Sequence, residues 1–149
     1  MHINTRILAF VYGNVQSGTH RDLAMSTTPG PVLVVDDDAA VRHSLKFALE
    51  LEGLSVRLYT GGDELLSEAD MPSAGCLVVD YSMPVMNGVE LIVRLRGRHV
   101  ELPAILITGK ATKTLREAAS RAGIRQVLEK PLEDSTLVDS IRGALAASA

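Results

Sequence analysis

Aromatic residues are scarce in this 149-residue chain, which has three tyrosines, two phenylalanines and no tryptophan. Surfaces that stack on nucleic-acid bases, and cages that bind quaternary ammonium groups, are built from aromatic rings. The composition therefore argues against both kinds of site. The formal net charge of −3 also gives no sign of the basic surface that direct nucleic-acid binding requires.

Cysteine and long apolar runs are also lacking. The single cysteine, Cys76, lies in an apolar run and cannot form an internal disulfide. A chain without disulfides fits a reducing compartment, so we expect a cytoplasmic protein. The apolar run at residues 7–12 is too short for a bilayer-spanning helix and lacks the features of a signal peptide, and we expect no membrane association.

The composition, with 46% hydrophobic and 22% charged residues, is ordinary for one globular domain. The first thirty residues differ from the rest, because a short apolar run gives way to a polar stretch rich in Asn, Gln, Ser and Thr. We predict that residues 1–30 form a tail outside the domain and that the domain covers residues 31–149. A translation start at Met25 is compatible with this division.

From Pro31 onward, strand-like and helix-like patterns alternate five times. Nearly unbroken Val, Ile and Leu runs at 32–36, 76–80 and 103–108 are typical of strands covered on both faces. The less apolar strands at 55–59 and 125–128 are predicted at the sheet edges. Helices are predicted between Asp38 and Gly53 and at 62–69, 88–97, 112–122 and 134–147. This alternation predicts an α/β fold with a doubly wound sheet of five parallel strands.

Polar residues follow four of these strands, at the edge where a doubly wound sheet binds its ligand. They are Asp36, Asp37, Asp80, Thr108 and Lys130. Three neighbouring carboxylates repel one another, so the predicted site requires a cation. Ligands that are all oxygen atoms favour a hard ion such as Mg²⁺.

This set of residues suits phosphoryl transfer. The Asp80 carboxylate can act as a nucleophile towards phosphorus, while Lys130 and the Thr108 hydroxyl supply donors for the added negative charge. The loop after Asp80 contains a proline and Gly88, and it forms a tight turn that could direct the Ser82 carbonyl at the metal.

Each residue also has a structural explanation when it is taken alone. Residues 36–38 could be an acidic turn that caps a helix, and Asp80 could be a turn former. Thr108 could simply end a strand, and Lys130 could be a solvated surface lysine. Their joint placement at the carboxyl ends of separate strands favours the functional interpretation.

Four motifs make the chain resemble the receiver domain of bacterial two-component response regulators. They are Val34-Val35-Asp36-Asp37, Asp80-x-x-Met83-Pro84-x-Met86-x-Gly88, Ile107-Thr108-Gly109 and Glu129-Lys130-Pro131. The similarity runs from about Val32 to Leu145 and is most like the nitrogen-fixation and nitrogen-regulation transcriptional branch. It implies a flavodoxin-like fold with strand order 2-1-3-4-5.

The resemblance implies a role for each site residue. Asp80 would be the phosphoacceptor, Thr108 would move towards the phosphoryl group, and Lys130, followed by a cis peptide bond to Pro131, would pair with that group. Mg²⁺ would be bound by Asp36 through water, Asp37, Asp80 and the backbone carbonyl of Ser82.

Partners are implied in the same way. The phosphoryl donor would be a histidine kinase or a phosphotransfer protein. The output would be a downstream protein target, or a DNA-binding domain outside this segment. The face formed by the fourth helix, the fifth strand and the fifth helix would change on phosphorylation and could form a homodimer.

Two features of the sequence leave alternatives open. Relatives often carry an aromatic residue three positions before the lysine, where this chain has Val127, so a receiver-like scaffold that no longer takes phosphate is the first alternative. A hydrolase of small phosphoesters is the second, although Ser82 stands where such enzymes usually have another acid. We favour a self-phosphorylating and self-dephosphorylating signalling module over a turnover enzyme.

Overall fold

The computed structural model describes residues 29–148, in which five strands alternate with five helices. The strands are β1 (Val32–Val35), β2 (Val56–Tyr59), β3 (Cys76–Asp80), β4 (Ala104–Thr108) and β5 (Gln126–Glu129). The helices are α1 (Ala39–Leu51), α2 (Gly62–Leu66), α3 (Gly88–Gly97), α4 (Lys113–Arg121) and α5 (Asp134–Ser148).

The five strands form one parallel sheet in the order β2-β1-β3-β4-β5. This confirms the predicted doubly wound, flavodoxin-like fold and its strand order 2-1-3-4-5. The order reverses between β1 and β3, because β2 lies on one side of β1 and the later strands lie on the other. In open α/β sheets, the ligand crevice lies at this reversal, beyond the carboxyl ends of the strands.

The sheet separates two hydrophobic layers. Because successive strand residues face opposite sides, Leu33 and Val35 pack with residues of α2, α3 and α4, whereas Val32 and Val34 pack with residues of α1 and α5. All residues of β1, β3 and β4 are buried, as their unbroken apolar runs predicted. β2 and β5 are the edge strands and are more exposed, which was also predicted.

Helix ends follow the predicted signals with one exception. The Asp38 side chain accepts hydrogen bonds from the Ala40 and Val41 amides at the start of α1. Gly53, at φ 82°, follows α1, and such a conformation is open to glycine without steric cost.

Helix α2 is shorter than the predicted 62–69, because it ends at Leu66. The Ser67 hydroxyl donates to the Asp63 carbonyl at 2.8 Å, a local bond that competes with helix continuation.

Within residues 29–148, no helix is both long enough and apolar enough to cross a bilayer. The predicted tail at residues 1–30 and the start at Met25 lie outside the described residues, apart from positions 29 and 30, and they stay predictions.

Candidate functional site

The register of the central strands brings two carboxylates together. Val35 of β1 lies opposite Val79 of β3 in the parallel ladder. The next residues of the two segments are Asp36 and Asp80, so both lie at the carboxyl edge of the sheet. Both are buried, with exposed fractions of 5% and 6%. Two adjacent buried aspartates are costly in a folded protein unless they are paired or bind a cation.

Asp37 completes an acidic cluster with Asp36 and Asp80. Each of the three residues offers a carboxylate oxygen, and these oxygens all lie within 4.8 Å of one another. Asp37 is exposed, so the cluster opens to solvent on its side. Among residues 29–148, the cluster offers carboxylate oxygen atoms and includes no histidine or cysteine. The donor set therefore fits a small hard cation such as Mg²⁺, and the site has an open side for water or a phosphoryl oxygen.

The environment disfavours the charged forms of both buried carboxyls. Burial raises the pKa of Asp80 above its usual range, and the neighbouring Asp36 raises it further, while Lys130 lowers it. Burial also raises the pKa of Asp36, against the lowering effects of the Asp38 amide and of Lys130. A bound dication would relieve this cost directly, since it favours the ionised forms.

Lys130 supplies a cation to the cluster. Its Nζ lies 3.2 Å from Asp80 Oδ1, and the lysine side chain is 42% exposed. The lysine immediately follows β5, and its amide donates to the Thr108 carbonyl at 2.8 Å. The Lys130–Pro131 peptide is cis, as the resemblance implied. One ammonium offsets only part of the charge that three ionised carboxylates would carry.

Thr108 ends β4 and is buried, with its hydroxyl engaged by the following loop. The hydroxyl donates to the Lys110 carbonyl at 3.3 Å and accepts from the Lys110 amide at 3.3 Å. Within the described residues, it makes no hydrogen bond to Asp80. The sequence predicted the position of this side chain at the edge of the sheet. It did not predict that the hydroxyl would be hydrogen-bonded to Lys110.

The loop between Asp80 and α3 is closed by Gly88. Its amide donates to the Tyr81 carbonyl at 2.9 Å. A β-carbon at this position would lie 2.7 Å from the Asp80 carbonyl oxygen and 2.7 Å from a Leu106 methyl group. The loop can therefore fold against β3 only with glycine here. Ser82 lies in this loop and is exposed, and the role of its carbonyl as a metal ligand stays a prediction.

Two polar contacts near the site were not predicted from the sequence. The Arg42 guanidinium donates to the Asp36 carbonyl at 2.7 Å and so ties α1 to the acidic turn. The Glu129 carboxylate accepts from the Ala111 amide at 2.7 Å and so ties β5 to the loop after Thr108. The sequence offered no signal for the Glu129 contact, because its amide partner lies in an irregular loop.

Val127, at the position where the resemblance implied an aromatic residue, is half-buried on β5. Its side chain packs against the core layer of α2, α3 and α4. It has no ring that could move between an inward and an outward position. Any coupling between the acidic cluster and the α4 side of the molecule must therefore use other contacts.

Comparisons with known proteins agree with this geometry. The family model described as the response regulator receiver domain matches residues 32–142. The transcriptional regulatory protein FixJ of Azorhizobium caulinodans is 38% identical over 119 residues, which cover 80% of this chain and 56% of the relative. The C4-dicarboxylate transport transcriptional regulatory protein DctD of Pseudomonas aeruginosa is 38% identical over 114 residues, covering 76% of this chain and 25% of the relative. The chain thus spans about half the length of the FixJ relatives it matches, or less for DctD.

Solved structures show the same architecture. A CheY-like response regulator receiver domain protein from Methanospirillum hungatei has a TM-score of 0.73 at 27% identity, covering 79% of this chain and 94% of that one. The crystal structure of FixJ-N has a TM-score of 0.72 at 36% identity, covering 78% of this chain and 93% of that one. Together with the strand order and the acidic cluster, these matches mean that the chain belongs to the response regulator receiver domain family.

Proposed function

We propose that this domain accepts a phosphoryl group on Asp80 and uses it to change a protein-binding face. The observation that supports the proposal most directly is the position of Asp80. It is a buried carboxylate within 4.8 Å of two others and is paired with a lysine at 3.2 Å. Few structural roles require such a repulsive arrangement, whereas a site that gains a cation and a phosphoryl group does.

In the proposed reaction, a carboxylate oxygen of Asp80 attacks the phosphorus of a phosphohistidine. A phosphorus–oxygen bond forms as the phosphorus–nitrogen bond breaks, and the electron pair of the broken bond returns to the imidazole. The product is an acyl phosphate on Asp80. Lys130 offsets the added negative charge, and the Thr108 hydroxyl donates to a phosphoryl oxygen once it leaves the Lys110 backbone.

Asp36, Asp37, Asp80 and the Ser82 carbonyl are the groups that we propose hold Mg²⁺. When bound, Mg²⁺ supplies positive charge that offsets the carboxylates and the phosphoryl oxygens. Asp36 is oriented for this role by the Asp38 amide, which donates to its Oδ1 at 2.9 Å. Positioning and charge, rather than proton transfer, carry most of the proposed catalysis.

A histidine kinase or phosphotransfer protein is the proposed donor, in the cytoplasm. The FixJ and DctD relatives are transcriptional regulators by name. We therefore propose that this segment regulates an output domain or a separate protein target and does not itself contact nucleic acid. The proposed output face is formed by α4, β5 and α5, and a homodimer through this face stays a proposal.

The proposal can be tested with acetyl phosphate, a small phosphoryl donor that requires no kinase. Wild-type protein with Mg²⁺ should gain one acid-labile phosphate, detected by intact mass, and Asp80→Asn should gain none. Asp70→Asn is the matched control, because Asp70 is an exposed aspartate outside the cluster. Equal labelling of wild type and Asp80→Asn would exclude Asp80 as the acceptor.

Two further measurements separate the proposal from the two alternatives. A scaffold that no longer takes phosphate would show no labelling and no chemical-shift change with Mg²⁺ and beryllofluoride, a mimic of the bound phosphoryl group. A phosphoester hydrolase would release phosphate from a generic phosphoester over many turnovers. The proposed function predicts labelling without such turnover.

A further inference from the structure

We infer that Glu129 is a positioning residue that restrains the reaction at Asp80, because it holds the loop that follows Thr108. The inference rests on the proposed function and extends it to a residue outside the acidic cluster. Glu129 ends β5 and lies opposite Thr108 in the parallel ladder. Its Oε1 accepts from the Ala111 amide at 2.7 Å.

The loop concerned is short. It runs from Gly109 to Ala111, between the end of β4 and Thr112, whose side chain caps α4 by accepting from the Leu115 amide. Its backbone is held by two side chains in the described structure, those of Thr108 and Glu129. Whatever fixes this loop therefore also fixes the direction of the Thr108 hydroxyl.

The two side-chain contacts with the loop backbone differ in strength. The Thr108 hydroxyl contacts the Lys110 backbone at 3.3 Å in both directions, which is long for hydrogen bonds that involve a hydroxyl. The contact from the Ala111 amide to Glu129 is short, at 2.7 Å, and its acceptor is a carboxylate, so it belongs to the stronger, charge-assisted class. By length and charge, the Glu129 contact is the stronger of the two, and it lies at an exposed position.

The loop contacts determine whether the Thr108 hydroxyl is available to the proposed phosphoryl group. While the Thr108 hydroxyl donates to the Lys110 carbonyl, it cannot donate to a phosphoryl oxygen on Asp80. Glu129 stabilises the loop conformation in which the Thr108 hydroxyl is bonded to the Lys110 backbone. It therefore opposes the conformation that the phosphorylated site requires. Val127 has no ring that could move in response to the change, and the 109–111 loop directly connects Thr108 with the start of α4. Loss of the Glu129 contact should make the active conformation easier to reach.

The test compares wild type, Glu129→Ala and Glu129→Gln, with Gln126→Ala as a control at the other end of the same strand. We expect Glu129→Ala to bind beryllofluoride with Mg²⁺ about three- to tenfold more tightly, and to be labelled faster by acetyl phosphate by a similar factor. Glu129→Gln keeps an acceptor oxygen and should lie between Glu129→Ala and wild type. Gln126→Ala should behave as wild type. The Ala111 amide resonance should move upfield in Glu129→Ala as its hydrogen bond is lost.

A double-mutant cycle with Thr108→Val separates positioning from a general structural effect. If Glu129 acts through the Thr108 hydroxyl, Glu129→Ala should have no effect on beryllofluoride affinity in the Thr108→Val background. Equal affinities for wild type and Glu129→Ala, weaker binding by Glu129→Ala, or an undiminished effect in the Thr108→Val background would overturn the inference. Failure of wild type itself to be labelled would instead count against the proposed function.

Discussion

Lys130 reaches Asp80 across an intervening strand. The ammonium follows β5 and the carboxylate ends β3, yet their atoms are 3.2 Å apart although β4 lies between the two strands in the sheet. The pair therefore closes over the end of β4, where Thr108 lies. A phosphoryl group on Asp80 would meet the hydroxyl and the ammonium on the same side of the acidic cluster.

Replacing Asp36 with asparagine should stabilise the metal-free protein. The asparagine oxygen can still accept from the Asp38 amide, while a buried charge beside Asp80 is removed. We expect a gain of about 0.5–2 kcal/mol in the free energy of unfolding, measured in urea with EDTA present. Added Mg²⁺ should stabilise wild type more than the variant, because the variant lacks a ligand. Asp70→Asn is the control, and a destabilised Asp36→Asn would contradict the prediction.

The contribution of Asp36 and Asp80 to the stability of the metal-free domain should fall as pH rises above about 4. The pKa values of Asp36 and Asp80 are both raised in the folded protein, chiefly by burial. A raised folded pKa contributes stability that is complete below the unfolded pKa and is lost as pH rises through the folded one.

The measurement for this pH effect is the difference in unfolding free energy between wild type and the double variant Asp36→Asn/Asp80→Asn, with EDTA present. The difference should favour the variant increasingly with pH. Excess Mg²⁺ should abolish or reverse the trend, since the cation binds the ionised carboxylates. A pH-independent difference without metal would show that burial does not shift these groups.

Gly88→Ala should destabilise the domain by about 1–3 kcal/mol. The new methyl group would lie 2.7 Å from the backbone oxygen of Asp80, which cannot move without displacing the proposed phosphoacceptor. Labelling by acetyl phosphate should therefore slow as well. The matched control is Gly97→Ala in the same helix, where an added β-carbon meets nothing within 4 Å. Chemical denaturation of both variants tests the prediction, and equal stabilities would contradict it.

Val85→Asn should raise stability by about 1 kcal/mol. Val85 has φ 70° and is 92% exposed, and it is the centre of a tight turn in which the Met86 amide donates to the Pro84 carbonyl at 2.7 Å. A β-branched residue is strained at positive φ, whereas asparagine is found at positive φ several-fold more often than most other non-glycine residues. Val93→Asn is the control, because Val93 is exposed within a helix. An unchanged or lowered denaturation midpoint for Val85→Asn would count against strain at this position.

The sequence predicted those parts of the molecule that depend on periodicity and on strand ends. Unbroken apolar runs identified β1, β3 and β4, and the residues after them identified Asp36, Asp80 and Thr108, because parallel strands end at a common edge. Contacts that depend on side-chain direction were not predictable in this way. The occupation of the Thr108 hydroxyl by Lys110 and the contact between Glu129 and Ala111 arise from the path of a short loop, which no periodic pattern encodes. The strain at Val85 was missed for the same reason.

Strand β5 has four residues and only one neighbour in the sheet, so its alignment depends on few hydrogen bonds. It ends in Glu129, with Lys130 next along the chain, and side chains alternate from one residue to the next. A slip of this strand by a single position would place a carboxylate where the ammonium now faces Asp80. The acidic cluster would then hold four anions and no cation, so correct alignment at the sheet edge is a condition for the proposed phosphoryl acceptance.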